Sequence, residues 1–178
     1  MYSSLNKYLI SRFNLMRLLR IKNIHMLPKI NKIILSGGIN SKINTVSSKT
    51  VATIIHMVAR SKPVFIKAKV AISGFKIKQH QIIGFKVTLR SKKMYNFLDR
   101  LIYKAIPKIK GFKGLNLLSF DKGCNISFGI KDCSVFSEAM PYEGINQIGF
   151  NVTICVNTME QGHVVTLLNG IGLRIANV

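Results

Sequence analysis

The first 98 residues contain no aspartate or glutamate. That absence constrains the chain more than any motif in it, because 19 of its 27 lysines and arginines fall in the same stretch. A half-chain of one sign repels itself on compaction. It calls for a polyanion, and nucleic acid or an anionic membrane are the usual candidates. The whole chain of 178 residues carries a net charge of +21, yet 48% of it is apolar. Such a composition excludes general disorder and allows one domain with a proper core, or one domain plus an arm. The division expected is a basic N-terminal helix or arm over 1–22 and a single domain over 23–178.

Other features set limits. Cys124, Cys133 and Cys155 are odd in number and widely spaced, so they indicate reduced thiols rather than a disulfide framework or a zinc site, with Cys155 expected in the core. No stretch approaches the ~20 apolar residues that span a bilayer. The opening MYSSLNKYLISRFNLMRLLRIKN is basic and acid-free, which matches a mitochondrial targeting peptide in composition. The favoured reading is an amphipathic first helix of the mature protein, with Leu5, Leu9, Phe13, Met16 and Leu19 on one side.

Periodicity orders the rest. Pro28 is expected to stop the first helix, and KINKIILSGG to form a strand closed by Gly37 and Gly38. A helix is predicted from about Asn44 to Ala59, capped by Asn44 or Thr45, with Met57 packing inward and His56 at the surface. PVFIKAKV and GFKVTLR are predicted strands joined by a basic loop. In the second, Phe85, Val87 and Leu89 point one way and Lys86, Thr88 and Arg90 the other. Ser91 is expected to cap a helix with Met94, Phe97, Leu98, Leu101, Ile102 and Ala105 as its apolar stripe. ISFGI and GFNVTICV are further strands, separated by an extended loop. A last helix is expected from Glu160 to Leu168, ending at Gly170. Several strand pairs have connections too short for a parallel crossover. The expected class is therefore α+β, a largely antiparallel sheet with helices on one face and a basic face on the other.

No catalytic chemistry is legible. The acids are scattered singly, the four histidines form no HxxxH or His-Cys group, and GxSxG, P-loop and GxGxxG patterns are missing. Neither a catalytic residue, a metal site nor a cofactor is expected. Nucleic-acid binding, by contrast, has a mechanism. Lys86 and Arg90 can sit over phosphates and release counterions, while Thr88 offers a hydroxyl to a sugar or base edge. Lys67, Lys69, Lys76 and Lys78 add charge on the neighbouring strand and loop. Phe75 is a candidate stacking residue. The competing reading is a peripheral membrane protein that sets Arg12, Arg17, Arg20 and Lys22 against anionic lipid.

At these residues a family resemblance emerges. NIHMLPKINKIILSGGI, KPVFIKAKVAISGFKIKQHQIIGFKVTLRSKKMYNFLDRLIYKAIPKIKGFKGL, SFDKGCNISFGIKD and YEGINQIGFNVTI resemble, in order, the bacterial form of the universal ribosomal protein number five of the large subunit, from about Asn23 to Ile175. The resemblance implies a structural protein that binds 5S ribosomal RNA in the central protuberance, or equivalent large-subunit RNA. Its RNA-facing set would be Asn23, Ser36, Ser61, Lys62, Thr88 and Arg90, joined by Lys67, Lys69 and Lys86 from the charge pattern. Ser36 and Ser61 stand where the family usually has Asn and Gln. The resemblance further implies a loop toward P-site tRNA, here Lys76, Lys78 and His80. It also implies a bridge to a small-subunit head protein, here Lys110, Lys113, Glu138 and Glu143, with other large-subunit proteins as neighbours. The late loop holds fewer acids than is usual in the family, so a weakened or remodelled bridge is expected. Heavy use of Ile, Lys, Asn and Phe without Trp fits AT-rich coding and a mitochondrial ribosome, with the bacterial cytoplasm as the alternative.

Overall fold

Alternation of apolar residues with polar ones at period two dictates strands over much of this chain, and stripes at three and four dictate helices. The computed structural model describes residues 8, 14–39, 48–109, 111–139, 148–158 and 160–176. Five strands form one sheet: β1 (Ile30–Gly38), β2 (Val64–Lys67), β3 (Ile82–Leu89), β5 (Ile126–Ile130) and β6 (Phe150–Val156), in the order β2-β3-β1-β6-β5. Two-residue strands β4 (Leu115–Asn116) and β7 (Ile175–Ala176) pair in parallel. Sequence periodicity cannot find elements that short.

The five-stranded sheet is antiparallel. β2 and β3 pair with Val64 opposite Lys86 and Ile66 opposite Gly84. Ile39 N, just past the end of β1, donates to Ile83 O near the start of β3 at 2.8 Å. The same opposition relates β1 to β6, because Asn157 N donates to Lys29 O while Gly37 closes on Gly149. On β5 and β6, Ser127 and Thr153 hydroxyls meet at 2.9 Å. With helices α1 (14–19), α2 (Ser48–Ala59), α3 (Ser91–Arg100) and α4 (Gln161–Ile171), the α+β class is as the sequence indicates.

Two compact units are distinguishable. One comprises Ile34–Leu89 and Gly129–Val152. Its core takes Val51, Ile54, Ile55 and Val58 from α2 and Phe85, Val87 and Leu89 from β3, all buried. At roughly 1.5–3 kcal/mol for each fully buried aliphatic or aromatic side chain, this is what seats the strand. Phe136 and Phe150 stack with centroids 5.9 Å apart. The described part of the segment expected as an extended loop therefore packs inward: Cys133–Val135 is a 3-10 turn, and Cys133, Phe136 and Ala139 are buried.

The other unit comprises Met1–Ile33, Arg90–Phe128 and Thr153–Val178. Here Met94, Phe97, Leu98, Leu101, Ile102 and Ala105 are buried as the stripe predicts, along with Val164, Leu167, Leu168 and Ile171 of α4. Asn157 ties the start of β1: its Oδ1 accepts from Lys29 N at 2.7 Å and its Nδ2 donates to Leu27 O at 3.3 Å.

Several local expectations are corrected. α1 stops before Arg20, which adopts a left-handed φ of 51°, rather than at Pro28. Leu15 is its buried residue in the described part. Ser91 does not cap α3, because it takes φ 48° as the first helical residue, and Arg90 in the capping position makes no side-chain bond. Past Arg100 the helix widens into a π turn, Leu101–Ala105. α4 ends at Gly172, not Gly170, since Gly172 is the residue in the left-handed conformation at φ 106°. Met57 is 40% exposed rather than packed. Cys155 is half-buried while Cys124 and Cys133 are buried, and none of the three takes part in a disulfide. The start expected for α2 at Asn44 or Thr45 lies outside the described residues.

Candidate nucleic-acid interface

Strand β3 builds the centre of the site. Its burial alternates residue by residue: Phe85, Val87 and Leu89 are buried, Lys86 and Thr88 exposed. Arg90 follows in extended conformation and is also exposed. A strand with one face sealed by apolar packing has to turn the other outward. Among the described residues none of the Lys86, Thr88 and Arg90 side chains has an intramolecular hydrogen bond or ion pair. Lys86 and Thr88 are a cation and a hydroxyl presented side by side on the strand's outward face, an arrangement suited to an anionic ligand, and Arg90 is the next cation along the chain.

The neighbouring strand contributes something that charge patterning did not show. Val64 lies opposite Lys86 and is 69% exposed, and Ile66 is exposed as well. The surface is therefore not purely cationic; apolar side chains flank the lysine. Ser36 on β1 and Ser61 before β2 are half-buried, and Lys62 is exposed. Pro63 is buried, and a proline disfavours helical backbone at the residue before it, here Lys62.

The basic loop proves to be a built hairpin. Ala68 N donates to Gln81 O and His80 N to Ala68 O, continuing the ladder past β2. Ile72 and Ile77 exchange both backbone bonds, at 3.0 and 3.1 Å, and close the turn Ser73–Gly74–Phe75–Lys76. Gln79 Nε2 donates to Lys69 O at 3.2 Å. Lys76 and His80 take left-handed φ values of 53° and 62°. Lys67, Lys69, Lys76, Lys78 and His80 are all exposed, and Phe75 at the tip is 69% exposed.

The remaining site residues fall elsewhere. Asn23 is exposed, and its Oδ1 accepts from His25 N at 3.0 Å, capping the short 3-10 turn Ile24–Met26. Lys113 is exposed beside Phe112 at a cavity of about 420 Å3 that Arg174 also lines. Glu138 is half-buried, its carboxylate accepting from Ser137 Oγ at 3.3 Å. Lys110 and Glu143 lie outside the described residues. Ser36, Ser61, Lys62, Lys67, Lys69, Lys86, Thr88 and the hairpin residues share one compact unit; Asn23, Arg90 and Lys113 belong to the other.

Around Ser36, residues Gly129, Lys131 and Asn151 were missed. A second cavity, of about 320 Å3, is lined by Ser36, Gly38, Gly129, Lys131 and Asn151 with their neighbours. The signal for Asn151 was present in β6, where Asn151, Thr153 and Cys155 share the parity opposite to buried Phe150, Val152, Ile154 and Val156. The same parity explains why Cys155 is not in the core. Among the described residues no cluster could hold a metal, and no helix is long and apolar enough to cross a membrane.

Comparison with known proteins gives the family. Residues 82–175 match the model of the ribosomal L5P family C-terminus. Over 167 residues the chain is 40% identical to the large ribosomal subunit protein uL5 of Blochmanniella floridana, covering 93% of this chain and 87% of the relative. The protein of the same name from Helicobacter pylori strain HPAG1 is 36% identical over 168 residues, 94% and 93% of the two chains. That of Helicobacter acinonychis strain Sheeba is 37% identical over 161 residues, 90% and 89%.

Proposed function

Because the chain belongs to the L5 family of large-subunit ribosomal proteins, we propose that the outward side of β3 is the surface by which it holds 5S ribosomal RNA in the central protuberance. Equivalent large-subunit RNA would take that place where 5S RNA is missing. As a member of this family the chain is a structural constituent of the large ribosomal subunit, not an enzyme. The observation that carries the RNA surface is the one-sided strand: Lys86, Thr88 and Arg90 exposed and unpartnered among the described residues, behind a fully buried row of Phe85, Val87 and Leu89. Phosphate contact by such a row positions the protein on folded RNA without reading its sequence base by base. Asn23, Ser36, Ser61, Lys62, Lys67 and Lys69 extend the contact set in this reading. The hairpin residues Lys76, Lys78 and His80 reach toward P-site tRNA. Lys110, Lys113, Glu138 and Glu143 form a reduced bridge toward the small-subunit head.

The test is the salt dependence of RNA binding. Replacing Lys86 and Arg90 together by Ala is expected to weaken binding and to lower the slope of log K against log salt by about one to two units, each phosphate contact counting ~0.7–0.9. An unchanged slope would place the RNA elsewhere on the protein. For location we propose a mitochondrial ribosome, a reading that rests on the AT-rich type of composition and the acid-free opening. The relatives compared are bacterial and fit the alternative. Co-sedimentation of the tagged protein with organellar rather than cytoplasmic large subunits decides between them.

A further inference from the structure

We propose that the cavity where β1 and β5 end and β6 begins receives one unstacked nucleotide of the bound RNA. This rests on the RNA reading above and deepens it at Ser36. The cavity, at about 320 Å3, sits at the small end of the roughly 300–1,000 Å3 range of small-ligand pockets. Its floor is bare backbone for a steric reason. A Cβ on Gly37 would stand 2.7 Å from the Phe85 ring and 2.8 Å from Gly149 O, and one on Gly149 would stand 2.5 Å from Lys131 O. The strands close up there backbone to backbone, and the hollow they leave is edged by hydrogen-bonding groups.

Ser36, Asn151 and Lys131 supply those groups. Among the described residues none of the three side chains has a partner within the protein. A serine hydroxyl and an asparagine amide each donate and accept, which matches a base edge or a ribose 2′-hydroxyl. Lys131 brings a single positive charge suited to one phosphate, and no carboxylate lines the cavity. The position favours RNA over a peptide, because β1, which carries Ser36, is the strand next to β3 and the row of Lys86 and Thr88. The shape favours a single protruding nucleotide. A duplex presents a convex surface that rests on a face, whereas a hollow takes a group standing out from it.

Gly38 provides a clean probe. A Cβ there meets nothing nearer than Ile83 O at 4.0 Å, so Gly38→Leu fills the hollow without a backbone clash. The experiment footprints the full-length protein on large-subunit RNA from its own ribosome, using dimethyl sulfate for base edges and acylation for 2′-hydroxyls. With the wild-type protein, one unpaired nucleotide reactive in free RNA is expected to lose its reactivity. Gly38→Leu, Asn151→Ala and Lys131→Met are each expected to restore it while the rest of the footprint stays. Lys86→Ala should instead weaken the whole footprint together. Should Gly38→Leu fail to fold, judged by circular dichroism, the other two variants carry the test. Identical footprints for wild type and all three variants overturn the pocket and leave the β3 surface standing. A wild-type protein without any footprint overturns both.

Discussion

Cys133 shows how a single side chain couples packing to solution behaviour. It sits fully buried in the 3-10 turn that plugs the core beside Phe136. Burial first, and the neighbouring Asp132 charge second, push its thiol up to about 12 from an ordinary 9.0. The folded state therefore holds the proton where the unfolded state has lost it, and the unfolded state binds fewer protons between these two values. Stability from this group is complete below pH 9 and falls as pH rises toward 12. The expected outcome is that the difference in unfolding free energy between wild type and Cys133→Ala shrinks over that interval, read by urea titration at successive pH values. A difference that stays level with pH would show that the thiol is not shielded. At pH 8 the folded protein should also leave Cys133 unalkylated, since the thiolate is the reactive form.

At the level of elements, the sheet is held where its strands have no side chains between them. A Cβ on Gly84 would come within 2.8 Å of Gly37 O, a backbone atom that cannot swing aside. Gly84→Ala is thus expected to push β3 from β1 and to cost about 1–3 kcal/mol, in the range of strained core substitutions. Gly74 at the hairpin tip is the control. It has open space around it and no positive φ, so Gly74→Ala should be neutral or stabilise by roughly 0.4–1 kcal/mol through the unfolded chain. Thermal melts of the two variants check both. Equal destabilisation would mean that the β1–β3 approach is looser than its backbone distances indicate. The hairpin itself illustrates why a loop rich in lysine need not be slack: its charges ride on a ladder of backbone bonds from Ala68 to Gln81.

For the whole molecule the dominant quantity is the charge of +21. Like charges on a compact body oppose compaction, and salt relieves them by shortening the Debye length from roughly 30 Å at 0.01 M to 8 Å at 0.15 M. The midpoint Tm of the isolated protein is therefore expected to climb with added salt over this interval. Ribosomal RNA should raise it further to the extent that it prefers the ordered β3 surface to the equally charged unfolded chain. A Tm that falls with salt would show that attractive ion pairs outweigh repulsion. This behaviour follows from the acid-free half-chain and needs no coordinates.

The division between what was legible and what was not has a physical basis. Alternation in FKVTLR, the helical stripe from Met94 to Ala105 and the one-sided distribution of acids are local properties, set by neighbours two to four residues away. By themselves they determined a one-faced basic strand, its buried backing and the α+β class. The tertiary structure alone decided which glycines meet, that Asn151 lines a hollow together with Ser36 and Lys131, that Phe136 stacks on Phe150, and that Val64 stands beside Lys86. Those relations join backbones distant along the chain. Their register is settled by close packing between strands, for which no single segment carries the information.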